Sequence, residues 1–389
     1  MSQLKVNTIR HTGASSDAIE LASDGSCTVK ATNNLSNKNL VINGAMLVNQ
    51  RATQAQSTGY NTIDRFAFYH LNVDEAPYYA QSDVASGTTP YELGFRKCLR
   101  VMNGNQTSGA GAGDQISIDY RFEAQDIANS GWNYTSASSY ITLSFWIKSS
   151  VAQDFKLQVK SEDGTEKAYP MSTGALSANT WTKITKTIPG HADLQFDNNN
   201  EKGFNIHWFP FVGTNLTASV TDNAWINYSG SSKTNDSTST WYTTNDATFD
   251  ITGLQLEVGD TATDFEHRSY GDELRRCQRY YYQEAYTGNY ESVRYSFVSD
   301  GAKQAAQFVY PVSMRANPTV TNNGVGNFRV NTYGEGSDET CNGITTKWNS
   351  NNMTILEFAK PTSNMDGSKA GVISTEANND AALYFSSEI

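Results

Sequence analysis

The sequence predicts an all-β protein, and three observations carry that reading. Apolar and polar residues alternate strictly in several stretches: Ile116, Ile118, Tyr120 and Phe122, then Ile141, Leu143, Phe145 and Ile147, then Phe155, Leu157 and Val159. A period of two marks half-buried antiparallel strands. Turn-rich segments such as Asn103–Asp114 and Tyr228–Ser239 separate the runs, with no helical stretch between them. Finally, only 38% of residues are hydrophobic and 18% charged, yet 12% are aromatic. That polar, aromatic-rich mixture suits sheet surfaces joined by many turns. A disordered chain would carry far fewer aromatics.

Taken in order, residues 1–39 hold short β-like fragments: Val6–Ile9, Ala18–Leu21 and Cys27–Val29, with Asp24-Gly25 as a turn signal. They offer too little apolar surface to fold alone, so they read as an attachment or stem segment ordered by assembly. Residues 40–268 read as a jelly-roll β-sandwich, because many strands follow at short spacing. LVINGAMLVNQ opens it, Gln125–Ser130 suggests one helical turn, and the strand Phe204–Trp208 is expected to end at Pro210.

Its last strand is Phe249–Val258. Phe249 and Ile251 lie on one phase, Leu254, Leu256 and Val258 on the other, with Gly253 at the slip. Such a slip needs an extra residue, hence a β-bulge. Residues 269–283 read as a connector helix, beginning near Asp272, with Leu274, Cys277, Gln278 and Tyr281 on one face. Asp272 and Glu273 precede Arg275, Arg276 and Arg279, an order that suits the helix dipole. Residues 284–389 read as a C-terminal β-sandwich tip. Its strands are expected at Val293–Phe297, Phe308–Met314, Asn327–Thr332, Ile344–Trp348, Met353–Phe358 and Ala381–Phe385. No repeat of 20–50 residues suggests a solenoid.

ITGLQLEVG followed by ATDFEHRSYGDELRRCQRYYYQ resembles the closing segment of phage tail-fibre and virion structural proteins, marine cyanophage type. The resemblance extends to LVINGAMLVNQRAT at Leu40–Thr53, DRF at Asp64–Phe66, ISIDYRFEAQDI at Ile116–Ile127 and ITLSFWIKSS at Ile141–Ser150. It implies a virion location in the phage tail, synthesis in the bacterial host cytoplasm, and a homotrimer docked on other tail proteins through its N-terminal segment. At the level of fold, the strand order also resembles carbohydrate-binding-module jelly rolls, which use a strand like WTKITKTIPG at Trp181–Gly190.

Charge and cysteine usage narrow the function. A net charge of −11, with no Lys/Arg run, argues against nucleic acid and anionic membrane surfaces. Cys27, Cys98, Cys277 and Cys341 lie far apart without CxxC or Cys/His pairing, so zinc and redox motifs are not expected. No secretory signal and no apolar run long enough for membrane insertion is present.

Catalytic patterns are equally sparse. Asp250 and Glu257 would lie roughly 23 Å apart on an extended strand, beyond the about 5–10 Å of glycosidase carboxylates. No Gly-x-Ser-x-Gly elbow, His-Glu-x-x-His or Walker loop occurs. His11, His70, His191, His207 and His267 show no ligand spacing. Asp197–Gly203 departs from the EF-hand pattern and reads as an Asx-rich turn. No cofactor, metal or catalytic residue is therefore expected. Glu266, His267 and Arg268 are expected to fix the angle between domains.

Aromatics in polar loops are the better signal: Trp132 with Tyr134, Trp225 with Tyr228, and Trp241 with Tyr242. A ring can cover the C–H face of a sugar while Asn and Asp bond its hydroxyl rim. The expected function is a non-enzymatic, receptor-binding tail fibre that contacts a host surface glycan such as lipopolysaccharide. The alternatives are a virion adaptor or decoration protein touching only other virion proteins, and a polysaccharide depolymerase.

Overall fold

The computed structural model describes residues 6–10, 12–13, 19–21, 23, 27–29, 37–333, 338–377 and 380–389. β1 (Thr8–Ile9), β2 (Ile19–Leu21) and β3 (Cys27–Val29) form a small antiparallel sheet in sequence order. Ile9 and Leu21 are exposed on it. The expected turn at Asp24-Gly25 lies outside the described residues.

The jelly roll contains β4 (Gln54–Ala55), β5 (Phe66–Leu71), β6 (Tyr78–Asp83), β7 (Lys97–Met102), β8 (Gln115–Glu123), β9 (Tyr140–Ser149), β10 (Lys156–Ser161), β11 (Lys167–Ser172), β12 (Thr182–Pro189), β13 (Lys202–Val212), β14 (Ile226–Asn227) and β15 (Thr248–Val258). They make two six-stranded sheets, ordered β14-β11-β10-β13-β8-β5 and β12-β9-β15-β7-β6-β4. The chain crosses repeatedly between them, and the pairings are antiparallel. The alternating residues read from the sequence fill the space between the sheets: Ile116, Ile118, Tyr120 and Phe122 from β8 meet Leu143, Phe145 and Ile147 from β9. Two short helices, α1 (Thr89–Glu92) and α2 (Ala124–Ala128), sit in the connections.

Two local features of these strands matter. The bulge at Gly253 is present: β15 slips against β9 between Thr252 and Gln255, and Gly253 has φ +64°. A Cβ there would lie 2.7 Å from the Phe95 ring, so both backbone and space call for glycine. The second feature corrects an expectation, since β13 runs through Pro210 to Val212. Pro210 falls in a bulge between Trp208 and Phe211, where pairing with β8 skips and no N–H is required.

α3 spans Tyr270–Gln278. Ser269 caps it, its Oγ accepting from the Asp272 N–H at 3.2 Å. The helix stops before Tyr281, which instead starts β16 (Tyr281–Tyr286). The C-terminal unit continues with β17 (Ser292–Asp300), β18 (Lys303–Val309), β19 (Thr319–Asn322), β20 (Phe328–Thr332), β21 (Glu339–Thr340), β22 (Gly343–Asn349), β23 (Met353–Ala359), β24 (Ala370–Thr375) and β25 (Ala381–Ser386). β18 ends at Val309 rather than Met314 because Pro311 has no donor for a ladder. A three-stranded sheet, β16-β25-β19, faces a seven-stranded one, β21-β20-β24-β17-β18-β23-β22. Phe308, Phe328, Phe358 and Phe385 pack between them. On the outer face of the larger sheet Tyr295, Phe297, Val309 and Trp348 are exposed.

The two sandwiches are joined by buried polar contacts. Arg279 donates twice to Glu123, at 2.7 Å each, and the Tyr280 hydroxyl donates to the same carboxylate at 2.6 Å. Glu388 accepts from Arg51 at 2.8 Å and from Arg65 at 2.6 Å. Arg315 donates to the carbonyls of Asn200 and Ser387.

Candidate functional site

The best-formed groove lies on the outer face of the β14-β11-β10-β13-β8-β5 sheet and encloses about 400 Å³. Its walls follow from strand periodicity. With Ile116, Ile118 and Tyr120 of β8 turned inward, Gln115, Ser117, Asp119 and Arg121 must face outward. Tyr69 and His70 of β5, Gln158 of β10, and His207 and Phe209 of β13 join them, and the loop after β14 adds Tyr228 and Lys233.

The polar groups are only partly paired. His207 Nδ1 lies 2.8 Å from Asp119 Oδ1, and Arg121 lies 3.4 Å from the other Asp119 oxygen. Burial pushes the Asp119 carboxyl up, but His207 and Arg121 outweigh it and hold its pKa below the usual carboxylate value. Arg121 also donates to the Tyr69 hydroxyl at 2.9 Å and to the Ile389 carbonyl at 2.5 Å. Lys233 donates to Gln115 Oε1 at 2.6 Å, and burial lowers its pKa. Lys160, beneath the groove wall, sits 4.0 Å from the Tyr228 ring centre and pairs with Glu162 and Glu166.

Gln158 is 1% exposed, and its Oε1 has no hydrogen-bond partner. The neighbouring Asn205 Oδ1 is also unpartnered. A buried acceptor left open costs about 1–3 kcal/mol, so the Gln158 oxygen, which lines the groove, is a place where a ligand hydroxyl would be welcome. Rings at Tyr69, Phe209 and Tyr228 with the open Gln158 amide acceptor in the same lining suit a polyol with apolar C–H faces.

The six aromatics chosen from the sequence do not converge. Tyr228 alone lines the groove. Trp132, Trp241 and Tyr242 are corrections: all three are buried in the jelly-roll core and have no ring face to offer a sugar. Each polar end finds a local partner, which is what allows the ring to bury. Trp132 Nε1 donates to the Ser139 carbonyl at 3.3 Å, Trp241 Nε1 to the Thr248 carbonyl at 3.0 Å, and the Tyr242 hydroxyl to Asp114 at 2.8 Å. Tyr134 and Trp225 are half-buried. Tyr134 packs edge-on against Phe196 at 4.8 Å, and Trp225 against Tyr169 at 5.2 Å while donating to the Pro189 carbonyl.

Glu266, His267 and Arg268 do something other than set the angle between domains. Glu266 accepts from the Asn39 N–H at 2.9 Å, and Arg268 donates to the carbonyls of Asn39 and Val41 and to Glu273. His267 lies against the Leu93 carbonyl at 2.9 Å and beside the Phe95 and Phe265 rings. Among the described residues, these partners belong to the start of the jelly roll, its α1 connection and α3. The three residues lock the jelly roll's first segment to its own closing strand and helix.

Sequence reasoning missed Tyr69, Asp119, Arg121, Gln158, His207, Phe209 and Lys233. The available signal was the outward phase of β8 and β13: charged and aromatic residues on regular strands, where a plain solvent face would carry Thr, Ser and Lys.

No family model matches the chain, and no curated protein matches it. Similar solved structures include the enzymatically active domain of bacteriophage CBA120 tailspike protein 4, at 10% identity and a TM-score of 0.30, covering 57% of this chain and 21% of that one. A putative sugar binding protein from Bacteroides thetaiotaomicron matches at 10% identity and a TM-score of 0.30, covering 57% and 99% of the two chains. A family 11 carbohydrate-binding module from Clostridium thermocellum, in complex with a mixed-linked tetrasaccharide, matches at 12% identity and a TM-score of 0.25, covering 54% and 98%. Likenesses this distant do not transfer a ligand or an activity to this chain.

Proposed function

We propose that this chain is a receptor-binding subunit of a phage tail fibre that attaches to a host surface glycan, such as lipopolysaccharide, through the groove on the β5-β8-β13-β10 face. One observation carries the glycan reading: rings and the unpartnered, buried amide oxygen of Gln158 line a single groove of about 400 Å³. The virion setting rests on the resemblance of the FEHRSYGDEL segment and its upstream landmarks. In this reading the N-terminal segment docks on other tail proteins, and the chain assembles as a homotrimer. The exposed Tyr295, Phe297, Val309 and Trp348 supply apolar surface for neighbouring copies. Multivalency then raises a weak single-site affinity.

The groove is read as a binder rather than an enzyme. Asp119 is the one carboxylate among its described lining residues, whereas glycoside hydrolysis ordinarily needs a pair. The test is an array of bacterial surface polysaccharides probed with labelled protein. Binding that drops at least tenfold in Tyr228→Ala and Gln158→Leu, with melting temperatures unchanged, supports the proposal. Binding to no polysaccharide, or binding indifferent to both substitutions, defeats it.

A further inference from the structure

We infer that the groove selects an acidic glycan, one bearing carboxylate or another anionic substituent. The inference rests on the glycan reading above and adds the chemical class of the sugar. It comes from the charges that face the groove. Arg121 and Lys233 both line it, and Asp119 is the only acidic side chain among its described lining residues. Asp119 is already engaged by His207 at 2.8 Å. The balance runs against the rest of the chain, which has 40 acidic residues to 29 Lys and Arg. An ammonium without an anion of its own, set in a groove of an anionic protein, attracts an anionic ligand while the remaining surface repels it.

The two cations keep binding capacity in reserve. Lys233 forms no ion pair among the described residues; its described partner is the neutral Gln115 amide oxygen, so one of three ammonium donors is used. Arg121 pairs with Asp119 at 3.4 Å and also bonds the Tyr69 hydroxyl and Ile389, while its buried Nε has no partner. Lys160 is different. Glu162 and Glu166 neutralise it, which leaves its hydrocarbon stem and charge to hold the Tyr228 ring. A partly desolvated ammonium facing a groove is costly without an anion, and a sugar carboxylate would supply that anion with charge-assisted hydrogen bonds. Gln158 would take a neutral hydroxyl of the same residue or its neighbour.

The test prints each bacterial polysaccharide twice, in its native form and after chemical reduction of its carboxyl groups to alcohols. The expected result is binding confined to acidic polysaccharides, lost on reduction, and weakened by added salt. Lys233→Gln retains an N–H donor but removes the charge. It should lower affinity for the native acidic form by on the order of tenfold at unchanged melting temperature, while Lys233→Arg retains binding. Equal binding to native and reduced forms would overturn the inference and leave the glycan reading standing. Binding to neither form would remove the glycan reading itself. Wild-type affinity in Lys233→Gln for an acidic polysaccharide would also overturn the inference.

Discussion

Arg65 and Glu388 meet at 2.6 Å across the junction of the two sandwiches, though they are 323 residues apart in sequence. The Arg65 guanidinium also lies 3.3 Å from the centre of the Tyr280 ring and donates to the Arg121 carbonyl. Arg65 itself sits at φ +77°, a conformation a non-glycine residue keeps only when its surroundings over-determine it. Glu388→Ala strips the carboxylate from both Arg51 and Arg65, leaving buried guanidinium charge under-compensated. The expected loss is about 3–5 kcal/mol, read as an earlier midpoint in urea denaturation.

Gly253→Ala should cost about 1–3 kcal/mol. The new methyl group would sit at positive φ and meet the buried Phe95 ring. Thermal unfolding measures the effect. Unchanged stability would mean that the bulge tolerates a side chain.

Trp241→Ala removes a fully buried ring that touches Phe155 and Phe249 edge-on. It should destabilise the jelly roll by about 3–5 kcal/mol. Glycan affinity of the folded fraction should stay at the wild-type value, because Trp241 is absent from the groove wall. Paired denaturation and binding measurements separate the two effects.

Burial pushes the Asp126 carboxyl up to about 6, and Glu123 adds to the shift. Between about pH 4 and 6 the folded state therefore holds a proton that the unfolded state has released, so this group's contribution to stability falls as pH rises through that window. Asp126→Asn removes that fall. The variant should match the wild type near pH 4 and exceed it by about 1–3 kcal/mol at pH 7, as chemical denaturation at the two pH values would report.

Trp348→Glu, on the exposed outer face of the seven-stranded sheet, places a charge where neighbouring copies would pack. If the chain is a trimer through that face, the wild type should sediment with a threefold larger mass than the variant. Equal masses would remove that face from the assembly.

Much of the jelly roll was legible because strand periodicity is a local property. The alternation at Ile116–Phe122 and Ile141–Ile147 reports which side meets the core whatever the partner strand is. The Gly253 slip reports a bulge for the same reason. Pro210 misled because a proline stops a strand only where a ladder bond is needed, and pairing with β8 skips there. Tyr281 fits a helix face by spacing, yet pairing with Ser386 draws it into a strand.

The groove was illegible for a different reason. Its residues come from β5, β8, β10, β13 and the loop after β14, and only the sheet order brings Tyr69, Gln158 and His207 to one face. Trp132 and Trp241 looked available because a ring in a polar loop has the same sequence signature whether it caps a sandwich end or greets a ligand. The backbone carbonyls of Ser139 and Thr248 decided between those fates.

The position of β25 has a consequence for synthesis. It is the last strand in sequence and the central one of its sheet, flanked by β16 and β19. The C-terminal unit cannot close until residues through Ser386 have left the ribosome, whereas the jelly roll has its last strand once Val258 has emerged. During translation the groove can form while the junction carboxylate Glu388 is still unmade. A nascent chain would thus pass through a stage with one finished sandwich and an open, aromatic-rich remainder, the stage at which premature contact between neighbouring chains matters most.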